Sequence, residues 1–300
     1  MVNLAHLRPE IQALVGLPGA ERLAGLGIEH WIGYTRAHQA LAQLEALLAH
    51  EPGKVRPRNL LIVGPTNNGK TMIAEKFHRA HPQRTADNGE HEVIPVLRIQ
   101  MPAEATAMRL YTALLVMLGT PVGLHGCNDL REALALRLMR AVGVRMLIID
   151  EVHNLLGAAA RRQRELLNLL RFLGNELRIP VVCLGIRDAY LAIRSDDQLE
   201  NRFHPLLLPL WEDGEELARL LASFETVLPL REPSQLAATS LRELILRRSE
   251  GAIGEIALLL TRATAAALLR GEERIDPAAI ERADYQPPSL RRRLIERELR

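Results

Sequence analysis

The chain has 300 residues, 48% of them hydrophobic and only 3% aromatic, and 38 lysines and arginines against 36 acids leave a formal net charge of +2. That length suits one large domain or two modest ones, and the abundance of Leu and Ala favours helices over an all-β fold. So small a charge does not by itself imply nucleic-acid binding, and two cysteines, Cys127 and Cys183, are too few for a disulfide framework or a zinc site. With no apolar run near the roughly 20 residues of a membrane span, a soluble cytoplasmic protein with no membrane partner is expected.

Residues 1–30 are weakly patterned, because Gly16, Pro18, Gly25 and Gly27 interrupt any long helix. Arg36 to Leu48 reads as an amphipathic helix, with Ala40, Leu41, Leu44, Leu47 and Leu48 on one stripe. Pro52 to Pro57 is a turn into the apolar run Asn59 to Val63, which reads as a buried parallel strand. Gly64-Pro65-Thr66-Asn67-Asn68-Gly69-Lys70-Thr71 follows and fills the phosphate-loop pattern G-x-x-x-x-G-K-[ST], after which Thr71 to Arg79 reads as a helix. Of the lysines and arginines only Lys54, Lys70 and Lys76 are lysine, so a lysine at that one slot is unlikely to be chance. Backbone N–H groups of such a loop and the helix behind it make a polyphosphate site. Lys70 would reach the β- and γ-phosphates of ATP, and the Thr71 hydroxyl would ligate Mg²⁺.

Downstream lie a polar segment, His81 to Glu92, then a strand over Val93 to Met101 and helices over Glu104 to Leu118 and Asp129 to Val142. A third strand, Val144 to Ile149, ends in Asp150-Glu151, and a long helix covers Arg161 to Leu177. Val181 to Ile186 reads as a fourth strand and Leu206 to Trp211 as a fifth. Alternating strands and helices with a phosphate loop at the first βα turn call for a parallel five-stranded sheet covered on both faces. From Glu212 the pattern is purely helical, with Asp213 and Glu216 as one start signal and Asp276 before Pro277 as another. The expected organisation is an N-terminal segment and linker helix (1–50), an α/β nucleotide-binding domain (51–211), a helical lid (212–284) and a basic C-terminal tail (285–300).

Asp150 at its strand end can hold Mg²⁺, and Glu151 beside it can polarise the attacking water. Asp150-Glu151-Val152-His153 also matches the D-E-x-H box of helicases, but those need a second sheet domain for which the helical residues after 212 leave no place. Arg202, in Asn201-Arg202-Phe203, is the first candidate for an arginine finger and Arg194 the second; a surface arginine without a partner is the competing reading.

Together these features resemble the AAA+ ATPases, and within them the TniB/TnsC family of transposition regulators, closest to TniB. The phrases that carry the likeness are Trp31-Ile32-Gly33-Tyr34, Asp150 to Leu156, and Leu173-Gly174-Asn175-Glu176-Leu177-Arg178-Ile179-Pro180, within a resemblance running from about residue 28 to 284. The resemblance implies an AAA+ P-loop NTPase that hydrolyses ATP, oligomerises as a ring or filament on double-stranded DNA, and recruits or activates a DDE transposase, with a targeting protein of the same element as a further partner. It implies ATP and Mg²⁺ at Lys70, Thr71, Asp150 and Glu151, Arg202 acting on a neighbouring subunit, and Trp31 to Tyr34, chiefly Ile32 and Tyr34, near adenine. An ordinary core aromatic pair is the alternative for the last.

Two departures bear on turnover. Gly185-Ile186-Arg187 offers no polar side chain before Arg187 where the family's first sensor sits, and Gly251-Ala252-Ile253-Gly254-Glu255 lacks the arginine of the second. Slow hydrolysis serving as a switch is therefore expected, with Gln100 placed to restrain Glu151. Arg161-Arg162-Gln163-Arg164 and the tail arginines Arg291, Arg292, Arg293, Arg297 and Arg300 are rival DNA contacts, and each cluster also reads as a solvated helix face. Neither is interleaved with aromatics, so phosphate contacts should dominate. A helicase-loader or secretion-type ATPase, or an ATP-binding scaffold with little hydrolysis, are the alternative functions.

Overall fold

The structure is a computed structural model and describes residues 4–27, 29–86, 89, 91–120, 127–157, 160–195 and 197–299. It divides into two compact units: residues 38–65 with 70–208, and residues 1–37 with 66–69 and 209–300.

The first unit is built on the phosphate-loop strand β1 (Asn59–Val63) and its helix α4 (Lys70–Ala80). Two short strands, β2 (Arg84–Thr85) and β3 (Glu92–Val93), form a separate antiparallel pair. After these come β4 (Val96–Gln100), helices α5 (Ala107–Met117) and α6 (Asn128–Ala141), and β5 (Met146–Asp150). A 3₁₀ turn over Val152–Gly157 leads to α7 (Ala160–Leu177), β6 (Val181–Gly185), α8 (Arg187–Arg194), α9 (Asp197–Glu200) and β7 (Phe203–Leu207). The five-stranded sheet has the order β4-β5-β6-β1-β7, and every pairing in it is parallel. All residues of β1, β5 and β6 are buried, as parallel strands covered on both faces require. Leu61, Ile149 and Cys183 face a core shared with Leu114 of α5, Met139 of α6 and Leu170 of α7. The alternate residues Ile62, Ile148 and Val182 are equally buried, and α4 packs beside β4 and β6.

Two strands differ from their sequence reading. β4 starts at Val96, because Val93 pairs with Arg84 and the carbonyl of Pro95, which has no N–H to give, takes the N–H groups of Arg145 and Met146. β7 spans Phe203–Leu207 instead of Leu206 to Trp211. Pro205 lies within it, tolerated because β7 is an edge strand with one side of its backbone unpaired.

The second unit is helical. Its helices are α1 (Pro9–Val15), α2 (Gly19–Gly25), the start of α3 (Thr35–His50), α10 (Glu215–Glu225), α11 (Thr239–Ser249), α12 (Ile253–Leu269), α13 (Pro277–Arg282) and α14 (Pro288–Glu298). Ile11 and Val15 of α1 join Leu220 of α10, Ile245 of α11, Leu259 of α12 and Ile280 of α13 in one core. Arg22 of α2 is buried and paired through both terminal nitrogens with Glu273 at 2.8 Å, with a further bond to the Pro229 carbonyl. Removing Glu273 would strand that guanidinium at a cost of about 3–5 kcal/mol. Asp276 accepts from the Ala279 N–H at 2.7 Å and Pro277 opens α13. Asp213 is no cap for α10; Gly214 holds that place, and Asp213 pairs with Arg242 at 2.6 Å. Among the described residues no single helix is long and apolar enough to cross a membrane.

Candidate nucleotide site

In the sheet unit, both ends of the phosphate loop follow from close packing. At Gly64 a side-chain carbon would stand 2.6 Å from the Leu208 carbonyl oxygen, so only glycine lets β1 turn there beside the end of β7. Lys70 opens α4 with 5% of its surface exposed, and its Nζ donates to the carbonyls of Gly64 at 2.8 Å and Pro65 at 2.7 Å. Burial lowers its pKa, and the negative charges of Glu151 and then Asp150 oppose that shift. The lysine and the two acids therefore share one electrostatic environment. Thr71 stands exposed beside it on the first turn of α4.

Asp150 ends β5, 3% exposed, and its Oδ1 accepts from the N–H of Glu151 at 2.8 Å. Its Oδ2 lies 3.4 Å from the guanidinium of Arg98, which is also paired with Glu75 of α4. Arg98 went unremarked in the sequence; a charged residue inside the apolar run of β4 was the available signal. Gln100 is the register partner of Asp150, and Arg98 is the residue of β4 that reaches its carboxylate. Glu151 has φ +54°, a left-handed conformation that strains a residue with a side chain, and its Oε2 lies 3.1 Å from Nε2 of His153. The carboxylate of Asp150 and the hydroxyl of Thr71 are hard oxygen donors, the kind that suits Mg²⁺.

The lack of a polar side chain at the end of β6 has a packing explanation. A side-chain carbon on Gly185 would lie 2.6 Å from Cβ of Ala189 and 3.0 Å from Val152, so no polar side chain fits where β6 meets α8 and the 3₁₀ turn. Ile186 follows, and Arg187 after it is exposed on α8. Arg202 immediately precedes β7, is half-buried, and donates to Oδ1 of Asn175 at 2.6 Å. Burial and then the nearby charges of Arg56 and Arg171 lower its pKa, marking a spot that favours an anion. Arg194 is exposed, 3.6 Å from Glu200.

In the helical unit stand the loop's tip, Thr66 to Gly69, and the residues proposed for adenine. Asn67 and Gly69 have φ of +58° and +83°, and a side-chain carbon at Gly69 would approach the Tyr34 hydroxyl to 3.3 Å. Tyr34 meets Trp211 edge-on, ring centroids 5.1 Å apart, while Ile32 is buried in the helical core. Asn68 is 2% exposed and donates to the Pro209 carbonyl at 2.9 Å. Of the basic clusters, Arg161, Arg162 and Arg164 are exposed on the first turns of α7, with Arg161 paired to Glu165. The tail is the helix α14, where Arg292, Arg293 and Arg297 are exposed but Arg291 is paired with Glu255 at 2.7 Å. Arg300 lies outside the described residues.

Comparison with solved structures brings the Aeropyrum pernix ORC2 protein in its ADPNP–ADP complexes, 16% identical over 85% of this chain and 69% of that one, with a TM-score of 0.59. The Aeropyrum pernix ORC1 protein in complex with DNA is 18% identical over 91% of this chain and 69% of that one, TM-score 0.58. A Walker-type ATPase of Pyrococcus abyssi is 15% identical over 92% and 78%, TM-score 0.56. At such identities the likeness is one of fold, that of the AAA+ P-loop NTPases with a helical C-terminal part. No curated protein matches the chain. The profile of the family described as TniB, bacterial TniB protein, matches residues 22–213, well over half the chain, and the chain belongs to that family.

Proposed function

We propose that this chain is an ATP-dependent, DNA-binding regulator of transposition: a cytoplasmic bacterial protein that oligomerises on duplex DNA in its ATP form and recruits or activates the DDE transposase of its element. The observation that carries the reading is the buried Lys70 sharing its electrostatic environment with Asp150 and Glu151, in a TniB-family chain. On this reading Lys70 exchanges the Gly64 and Pro65 carbonyls for the β- and γ-phosphates. Thr71 and Asp150 would hold Mg²⁺, which would supply charge neutralisation at those phosphates. Backbone N–H groups of residues 65 to 70 cradle the phosphates, Tyr34 and Ile32 flank the base, and Glu151 orients and deprotonates the attacking water. Arg202 leaves Asn175 to serve the site of a neighbouring copy. The exposed arginines of α7 and α14 suit DNA phosphates rather than bases.

A second reading, a scaffold that binds ATP and scarcely turns it over, draws support from the close packing at Gly185 that excludes a polar sensor. Glu151→Gln separates the two. The amide no longer accepts the water's proton, so turnover should fall roughly a hundredfold or more while nucleotide still binds. In the switch reading the mutant's DNA-bound assemblies should outlive those of wild type in sedimentation or electron microscopy, because the route to release is blocked. Equal lifetimes would favour the scaffold, and a mutant that binds ATP but never assembles on DNA would favour a helicase-loader or motor role.

A further inference from the structure

The lid helix α12 is capped by the phosphate loop. Its N-cap residue, Ala252, has only a methyl group and no side-chain acceptor to offer. The loop provides instead: Oδ1 of Asn68 accepts from the Ile253 N–H at 3.3 Å, and the Asn67 carbonyl accepts from the Gly254 N–H at 3.0 Å. A helix of 17 residues thus has two of its four orphan N–H groups satisfied by the tip of a loop some 185 residues earlier. The approach needs glycine, since a side-chain carbon at Gly254 would collide with the Asn67 amide.

Glu255, the next residue, is 8% exposed and meets groups from two directions. Its Oε1 accepts from Nδ2 of Asn67 at 3.2 Å. Its Oε2 accepts from the Tyr285 hydroxyl at 2.9 Å and lies 2.7 Å from the guanidinium of Arg291 on α14. A carboxylate so buried would cost free energy without a cation, and Arg291 is the cation. Burial, then the bond to Glu255, raises the pKa of Tyr285, so the phenol stays a donor at neutral pH. The helix α14 buries none of its residues; Arg291 on Glu255 and the Ser289 N–H on Glu250 at 3.0 Å are the bonds that tie its first turn down.

We propose that Glu255 is the positioning residue of the phosphate-loop tip and that α14 sets its place and charge through Arg291, so that the C-terminal helix is a determinant of nucleotide affinity. Asn67 holds a left-handed conformation that a residue with a side chain adopts at a cost, and the Glu255 bond is one of the contacts that fix it. The N–H groups of residues 66 to 69 then stay aimed for phosphate before any arrives, which is where preorganisation adds affinity. The inference rests on the ATP-binding reading above.

The test is calorimetric titration of the full chain with Mg-ADP, with Lys70→Ala as the reference for the loop itself. Glu255→Ala should weaken binding about tenfold, the scale of one hydrogen bond to a charged group. Arg291→Ala should weaken it several-fold, and Arg291→Lys, which keeps a cation beside the buried Glu255, should recover most of the loss because a point charge suffices for one oxygen. Trypsin should cut at Arg292 and Arg293 faster in Arg291→Ala than in wild type. Wild-type affinity in both alanine variants, or tighter binding from removing a negative charge near phosphate, would overturn the proposal. So would a weakened Arg291→Ala that Arg291→Lys fails to restore. If wild type and Lys70→Ala bind alike, the ATP-binding reading falls first and takes this one with it.

Discussion

Replacing Lys70 with alanine should abolish measurable ATP and ADP binding in a direct titration. The ammonium is the cationic side chain of the loop, buried at 5% exposure, and it has been brought out of water next to two carboxylates. Burial alone disfavours its charge, and the acids return only part of that cost. A triphosphate carries far more charge than Asp150 and Glu151 together and would bond the ammonium directly, in the short, charge-assisted geometry that is about twice as strong as a neutral hydrogen bond. Alanine leaves the acids facing the phosphates uncompensated, so repulsion is added to the lost attraction. The fold should survive, since the lysine's two bonds go to loop carbonyls, one of them at the exposed Pro65, and not to a charged partner. Micromolar affinity retained by Lys70→Ala would remove this loop from the account.

Arg202→Ala should bind nucleotide as wild type does and lose turnover on the order of a thousandfold or more, the usual scale for an arginine finger. Burial and then the charges of Arg56 and Arg171 push the pKa of Arg202 down, and its guanidinium is held by a neutral Asn175 instead of an acid. A guanidinium so placed is released to an incoming phosphate at little cost, whereas a salt-bridged one would not be. If the proposed finger acts on a neighbouring copy, mixing Arg202→Ala with Glu151→Gln should restore part of the activity at interfaces where an intact Arg202 meets an intact Glu151. Turnover that survives the substitution would move the role to Arg194; turnover lost without recovery in the mixture would place Arg202 in the same chain's site.

The parallel sheet was legible because its central strands are nearly pure runs of Leu, Ile and Val, and because the loop between β1 and α4 has a composition with few other uses. Its edges were not. Pro205 and His204 disguise β7, and the pairing of Val93 with Arg84 cuts β4 short, since edge strands tolerate residues that a central strand rejects. Helices α1 and α2 were hidden by their glycines and by the distance to their partners: Arg22 meets Glu273, some 250 residues on. Asp150 and Glu151 could be read from a strand end, but Arg98 and Glu255 could not, because each acts through a partner that only the fold brings near. That Gly185-Ile186 offers no polar side chain at the end of β6 was visible; the close packing of Gly185 against Ala189 and Val152 was not. The lid stretch carries no arginine of its own, and the pairing of its Glu255 with Arg291 of α14 was not legible either.

Assembly of the full chain on duplex DNA, followed by sedimentation with and without Mg-ATP across a range of salt concentrations, bears most directly on the proposed role. DNA-bound oligomers should need ATP, vary little with DNA sequence, and weaken steeply as salt rises, because arginines on phosphates release counterions in proportion to the contacts made. DNA binding that ignores nucleotide, resists salt, or selects a short sequence would contradict that role.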